Sequence, residues 1–282
     1  MSLAPRLRDL YQAFDHVTSA ADPVHLVRRY ESAPDREVAG FCAAALAFGR
    51  VASVLQSIES LFAVLGPSPA QFVRQFDVRR HRARLDPLVH RWIRGQDLVA
   101  LLLVLQRMVR EAGSIERFFA AGDDARHPDV GPALESFSTR ALDIDLQPAY
   151  GRMPKRPGVC YFFPRPTGGS ACKRLNLFLR WMVRRDAIDL GVWTTLSPAR
   201  LVIPLDTHVI RLGRCLRLTR YTSPGWKMAA EITAALRVVD PTDPVRYDFA
   251  LCHVGMMKAC GFGTSQGSRQ CPLQGLCHPR RP

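Results

Sequence analysis

Residues 167–185 read TGGSACKRLNLFLRWMVRR, and this stretch carries the clearest fold signal in the chain. Two adjacent glycines permit a tight turn with positive φ. After the turn, apolar side chains recur every three or four positions, which is the period of an amphipathic helix. We therefore expect a glycine turn that leads into a helix over 171–185, with one face buried through Leu175, Phe178, Leu179 and Met182.

The same helical period dominates the rest of the chain, and no convincing run of alternating β-branched residues is present. We expect two helices, or one broken helix, over 35–65, and a helix over 97–112 that Asp97 caps. Further helices are expected over 206–216, 225–239 and 243–259. The sequence therefore predicts an all-α protein.

The 282 residues are 47% apolar, which is enough to form a core in one large domain or two lobes. No apolar run is long enough to span a bilayer. The first residues, MSLAPRLRDLYQAF, carry charges where a signal peptide needs an apolar segment. We expect a monomer that acts in the cytoplasm and has no membrane partner.

The formal net charge is +14, and its distribution along the chain is uneven. Residues 151–220 contain 14 Lys and Arg against three Asp, so this segment alone carries +11. Such an excess favours a polyanionic partner. A solvated basic face in an arginine-rich chain is the alternative interpretation.

The glycine turn leaves its backbone uncovered, and the first N–H groups of the following helix would point out of it towards an anion. Lys173 and Arg174 stand in the first helical turn, where their charge opposes the helix dipole unless an anion lies outside. An ordinary glycine loop before a core helix is the alternative. The candidate phosphate contacts are Arg165, Gly168, Gly169, Ser170 and Arg174.

Residues 203–212 read IPLDTHVIRL, and Asp206 stands immediately before the next expected helix. A carboxylate at this position accepts hydrogen bonds from free N–H groups of the first turn, so Asp206 is expected to be an N-cap. The same placement suits a carboxylate that must stay charged beside a developing cation.

These two segments together resemble the helix-hairpin-helix DNA glycosylases of the endonuclease III superfamily. PLDTHVIRL at 204–212 is similar to the Asp-Thr-His helix start of that family, and Gly169, Lys173 and Asn176 match the Gly, Lys and Asn of its hairpin. The order of hairpin, Asp-Thr-His helix and cysteine tail is also the family's. The blocks KRLNLFLRWMVR and IPLDTHV look most like an uncharacterised bacterial branch of the superfamily.

The resemblance implies a two-lobed helical fold with the active cleft between the lobes. Residues 36–200 would form a six-helix-barrel-like lobe that carries the hairpin, and 1–35 with 201–282 would form the second lobe. It also implies a DNA glycosylase with AP lyase activity that acts on a damaged or modified base flipped out of double-stranded DNA. Lys173 would be the nucleophile and Asp206 the catalytic carboxylate, with His208 beside them among the DNA contacts.

The sequence also departs from the family pattern. The turn reads PTGGSA instead of Leu-Pro-Gly-x-Gly, and residues 186–193 lengthen the segment between Lys173 and Asp206. The position of the family's base-pair-probing Gln falls in ALAFGR at 45–50. These departures favour a catalytically silent DNA-binding module, whereas Lys173 and Asp206 favour an enzyme. RNA binding is a third interpretation, because hairpin contacts go mostly to the backbone.

Cysteines cluster in the last 31 positions of the chain. Many members of the superfamily hold a 4Fe-4S cluster with four cysteines near this end. Cys260, Cys271 and Cys277 look like three of those ligands, and Cys252 would replace the missing one. The resemblance therefore implies an iron–sulfur site, while zinc and the absence of any metal stay open.

Overall fold

The computed structural model describes residues 3–14, 22–256 and 271–276. This part of the chain is mostly helical, as predicted, and its only β-sheet is one two-stranded hairpin. Among the described residues, no helix combines the length and apolar content that crossing a bilayer requires. The elements are α1 (Leu3–Phe14), α2 (Val24–Val27), α3 (Ala33–Leu46), α4 (Val51–Leu65), α5 (Pro69–Arg74), α6 (Val78–Leu85), β1 (Val89–His90), β2 (Ile93–Arg94), α7 (Gly95–Ala112), α8 (Ile115–Ala120), α9 (Gly131–Leu142), α10 (Gln147–Tyr150), α11 (Lys173–Val183), α12 (Thr207–Cys215), α13 (Trp226–Val239) and α14 (Asp248–Met256).

Two groups of helices meet beside α11. The buried helix α7 packs against α5, α6, α8 and α10, and α3 packs against both α5 and α11. On the other side, α14 packs against α12 and α1. The side chains of Phe178, Trp181 and Trp193 are all buried in the core.

The helical pattern predicts most element positions well. Residues 35–65 form two helices, α3 and α4, separated at 47–50, and α12 begins directly after Asp206. Helix α7 begins two residues earlier than predicted, at Gly95, so Arg94 is its N-cap residue and Asp97 caps the helix from position N3 of a capping box. The buried Asp97 carboxylate accepts hydrogen bonds from Arg94 N (2.8 Å), the Tyr150 hydroxyl (2.8 Å) and Gly158 N (3.1 Å). These bonds hold the segment over 147–169, which contains Tyr150 and Gly158, against α7.

The segment over 186–193 supplies carboxylates that neutralise two buried arginines, Arg180 in α11 and Arg184 directly after it. Asp189 is buried and accepts hydrogen bonds from Arg180 Nε (3.1 Å) and from Arg184. Asp186 accepts hydrogen bonds from Arg184 (2.7 Å) and from the Tyr11 hydroxyl of α1 (3.1 Å). Residues 186–189 therefore neutralise buried charge and connect α1 to the C-terminal end of α11.

Replacing Asp189 with alanine is expected to lower the free energy of unfolding by about 3–5 kcal/mol, because two buried guanidinium groups lose their shared partner. Urea denaturation monitored by circular dichroism measures the change. Asp86→Ala is the matched control, since Asp86 makes an exposed ion pair with Arg82 at 4.0 Å, worth at most about 1 kcal/mol. Equal effects of the two substitutions would contradict a structural role for the buried network.

Candidate functional site

A cleft of about 460 Å³ lies where the two groups of helices meet, and Lys173 and Asp206 both line it. Its volume is within the range of small-molecule sites. One wall comes from the loop between α3 and α4, the start of α4 and the face of α11 that carries Lys173, Leu177 and Arg180. The other wall comes from the start of α12 and one face of α14. The two residues that the resemblance pairs, 33 positions apart in sequence, thus share one cavity.

Lys173 is the first residue of α11, and its backbone position follows directly from the turn before it. Cys172 adopts a left-handed conformation with φ +49°, which turns the chain sharply into the helix. The Lys173 ammonium donates a hydrogen bond to Ala47 O at 3.1 Å. The side chain therefore extends along this wall of the cleft to the loop between α3 and α4.

Asp206 is the N-cap of α12, as the sequence predicts. One carboxylate oxygen, Oδ1, accepts a hydrogen bond from Val209 N at 2.7 Å. The other, Oδ2, accepts a hydrogen bond from the Cys252 thiol at 2.9 Å. Both oxygens are thus held by donors from two helices, which fixes the orientation of the carboxylate in the cleft.

Cys252 has a role in the structure that the sequence does not reveal. It lies on the cleft face of α14, 46 positions after the carboxylate to which its thiol donates. Burial raises the pKa of the Cys252 thiol well above its ordinary value, and the nearby charges of Asp206 and Asp248 raise it further. A thiol that keeps its proton is a hydrogen-bond donor and a poor metal ligand.

The floor of the cleft contains a buried ion pair. Arg180 lies two turns after Lys173 on the same face of α11, and it donates a hydrogen bond to Asp248 of α14. Burial raises the pKa of the Asp248 carboxyl to about 7, although the Arg180 charge opposes this shift. Asp248 Oδ1 and Arg180 Nη2 are buried without a hydrogen-bond partner among the described residues.

His208 and Gly255 mark a close approach of α12 to α14. A Cβ atom added at Gly255 would lie 2.5 Å from the Cβ atom of His208, so the backbone position at 255 cannot carry a side chain without displacing the histidine. His208 lines the same cleft as Lys173 and Asp206. The structure thus brings this predicted site residue into the same cleft as Lys173, Asp206 and Cys252.

The glycine turn lies on the surface, away from the cleft lining. Gly168 and Gly169 are exposed, and Gly169 has φ +80°. Ser170 Oγ accepts a hydrogen bond from Cys172 N at 3.1 Å, while Arg165 is exposed and pairs with Glu135 at 3.7 Å. These four residues form an accessible turn that leads directly into Lys173.

Arg174 does not join the exposed candidates for phosphate contact. Its side chain is buried, and its guanidinium group donates hydrogen bonds to Ala45 O (3.4 Å) and to Tyr161 O. The group also lies 3.5 Å from the centre of the Tyr161 ring. Burial lowers the pKa of Arg174 to about 10. Arg174 therefore packs against the ring of Tyr161, and its charge is not exposed to solvent.

The structure describes two of the four cysteines for which a metal role is predicted. Cys271 is buried in the 271–276 segment, and Cys252 donates to Asp206. Cys260 and Cys277 lie outside the described residues. Among the described residues no group of three metal-ligating side chains is found. The iron–sulfur and zinc assignments, with Cys252 as a ligand, stay predictions.

Two sequence signals could have identified more of this site. Arg180 follows Lys173 by seven positions in a helix, which places both on one face. In addition, the chain holds only four lysines among its 39 basic residues, and one of them is Lys173. Cys252 and Asp248 carried no such signal, because their relation to Asp206 arises only when α14 packs against α12.

Comparison with known proteins gives one match. No curated protein and no solved structure matches the chain. The profile of one protein family, described as "Protein of unknown function (DUF2400)", matches residues 22–257. The match spans α2 to α14 and includes every residue named above as lining the cleft. The chain belongs to the DUF2400 family.

Proposed function

We propose that this protein is a DNA base-excision glycosylase with AP lyase activity, which acts on a damaged or modified base flipped out of duplex DNA. The observation that carries the proposal is the placement of an amine, Lys173, and a carboxylate, Asp206, at the starts of two helices in one cleft. Exposed cations of the segment over 151–220, among them Arg152, Lys155 and Arg156, supply the contacts to the DNA backbone together with the exposed glycine turn.

The proposed architecture is the two-lobed helix-hairpin-helix arrangement, with the cleft between the lobes. Helices α3, α4 and α11 belong to the first lobe in this description, and α1, α12 and α14 belong to the second. The grouping of the helix contacts supports it, because α11 packs on α3 while α14 packs on α12 and α1. Residues from both groups line the cleft.

In the proposed reaction the Lys173 ammonium first gives up a proton to solvent, and the free amine then attacks C1′ of the flipped nucleotide. A new C–N bond forms to the lysine, the N-glycosidic bond breaks, and the base leaves with the bonding electron pair. Asp206 stabilises the positive charge that develops at the sugar and accepts a proton from the attacking nitrogen. Opening of the sugar ring then gives a Schiff base, from which β-elimination cleaves the strand.

A panel of duplexes, each with one damaged or modified base, tests the proposal by chromatographic detection of the released base. The control is the double variant Lys173→Ala/Asp206→Asn, which keeps the exposed turn. Release of one base by the wild type and not by the double variant supports the proposal. Equal release by both proteins, or intact substrates throughout the panel with tight duplex binding, would overturn it.

Cys252 makes a testable contribution to this reaction. Cys252→Ala is expected to slow base release about tenfold, because one of the two donors that orient Asp206 is lost. Cys252→Ser keeps a donor at that position and is expected to restore most of the rate. Single-turnover kinetics with saturating enzyme separate this effect from binding. A serine variant as slow as the alanine variant would contradict an orienting role.

A catalytically silent DNA-binding module is the second candidate, and one observation favours it. The Lys173 ammonium donates to Ala47 O, and both oxygens of Asp206 accept hydrogen bonds from the protein, so the pair is occupied internally. A module of this kind would bind duplex DNA in a salt-dependent manner and release no base. The lesion panel separates the two candidates.

A further inference from the structure

Three aromatic rings cluster at the rim of the cleft and leave much of their surface in solvent. The rings of Phe48, Trp92 and Tyr161 lie with centroids 4.9 to 5.1 Å apart. The exposed fractions are 48% for Trp92 and 36% for Tyr161. Large aromatic rings usually lie in the protein core. A cluster of exposed rings at this rim is therefore typical of a binding site.

The rim is held rigidly against the cleft. Trp92 stands at the tip of the β1–β2 hairpin, where Arg91 adopts φ +55° to make the two-residue turn. His90 of β1 is hydrogen-bonded through its ring nitrogens to Phe48 O and to Ser57 Oγ, both at 2.9 Å. Phe48 lines the cleft beside Lys173. The aromatic surface is therefore continuous with the proposed active site.

The charges on this surface identify the kind of partner. The guanidinium group of Arg91, which is exposed, lies 5.2 Å from the Trp92 ring centre. Arg50 and Arg94 are exposed close by in sequence. A membrane core or an apolar protein face would leave these cations unmatched. Nucleic acid matches both features, since its bases offer planar π faces and its phosphates carry negative charge.

We infer that Trp92 and Tyr161 stack on an unpaired DNA base next to the nucleotide that enters the cleft. This inference rests on the proposed function, because the same DNA must occupy the cleft. It makes the protein selective for DNA that contains an unpaired base over fully paired duplex. Stacking on an aromatic side chain tolerates any base, so the selectivity follows the state of the strand and not its sequence.

The test measures binding to two duplexes of equal length by fluorescence anisotropy, one fully paired and one with a single unpaired base. Wild type is expected to bind the second about tenfold more tightly. Trp92→Ala should lose this preference, and Trp92→Phe should keep part of it. Val238→Ala is the matched control, because Val238 is the most exposed large apolar residue of the described chain and lies on α13.

Tryptophan fluorescence gives a second readout that does not depend on activity. Trp181 and Trp193 are buried and Trp226 is partly buried, so DNA is expected to quench mainly the exposed Trp92, and Trp92→Phe should remove that part of the quenching. Preference and quenching that both persist in Trp92→Ala would overturn the inference while leaving the proposed function intact. Failure of the wild type to bind either duplex would overturn both. Dimerisation that depends on Trp92, seen by sedimentation without DNA, would assign the surface to a second copy instead.

Discussion

Lys173→Ala is expected to abolish the covalent adduct that borohydride traps between this protein and a duplex containing an abasic site. The reason is chemical: the reaction needs a primary amine in the cleft, and among the described residues Lys173 is the lysine that lines it. The fold should survive, since the substitution removes a single hydrogen bond, from Nζ to Ala47 O, worth about 1 kcal/mol.

The control for this experiment is Lys227→Ala, which removes an exposed lysine at the start of α13. Its adduct yield should equal that of wild type. Salt-dependent duplex binding should persist in both variants, because the exposed turn over 165–170 is unchanged. Trapping by Lys173→Ala at the wild-type level would contradict the assignment of the nucleophile.

Asp206→Asn is expected to lower the rate of base release by about 10²–10³-fold while duplex affinity changes little. Asparagine is as good an N-cap as aspartate, so α12 should still begin at Thr207. What is lost is the negative charge that would face the cation at C1′. Single-turnover release of the base measures the effect, and thermal unfolding verifies that the fold is kept.

Asp77→Asn supplies the matched control, because Asp77 caps α6 in the same way by accepting a hydrogen bond from Arg80 N at 3.0 Å. This variant should release base at the wild-type rate. If Asp206→Asn also releases base at that rate, Asp206 is a helix cap without a catalytic role.

The helices could be predicted because their signals are local. The apolar period over 171–185 and 206–216 and the N-cap at Asp206 each depend on residues a few positions apart. The hairpin of β1 and β2 escaped prediction because two-residue strands are too short to show a period. The sequence predicts a capping role for Asp97 but not its bonds to Tyr150 and Gly158, because these partners come from a distant loop.

The candidate site was predictable only in part, for the same physical reason. The residues that resemble a known motif, Lys173 and Asp206, do line one cleft. The burial of Arg174 beneath Tyr161 depends on how the loop over 147–169 folds back, which no short-range pattern encodes. The contact between Cys252 and Asp206 likewise joins two helices. Tertiary packing, and not local sequence, decided each of these outcomes.

The most direct test of the account identifies the residue that carries the sugar after borohydride reduction. Wild-type protein is incubated with a duplex containing an abasic site, reduced, digested and mapped by mass spectrometry. The chain has four lysines, Lys155, Lys173, Lys227 and Lys258, so the assignment is unambiguous. The account predicts the deoxyribose remnant on Lys173. An adduct on another amine, or no adduct with duplex binding retained, would contradict it.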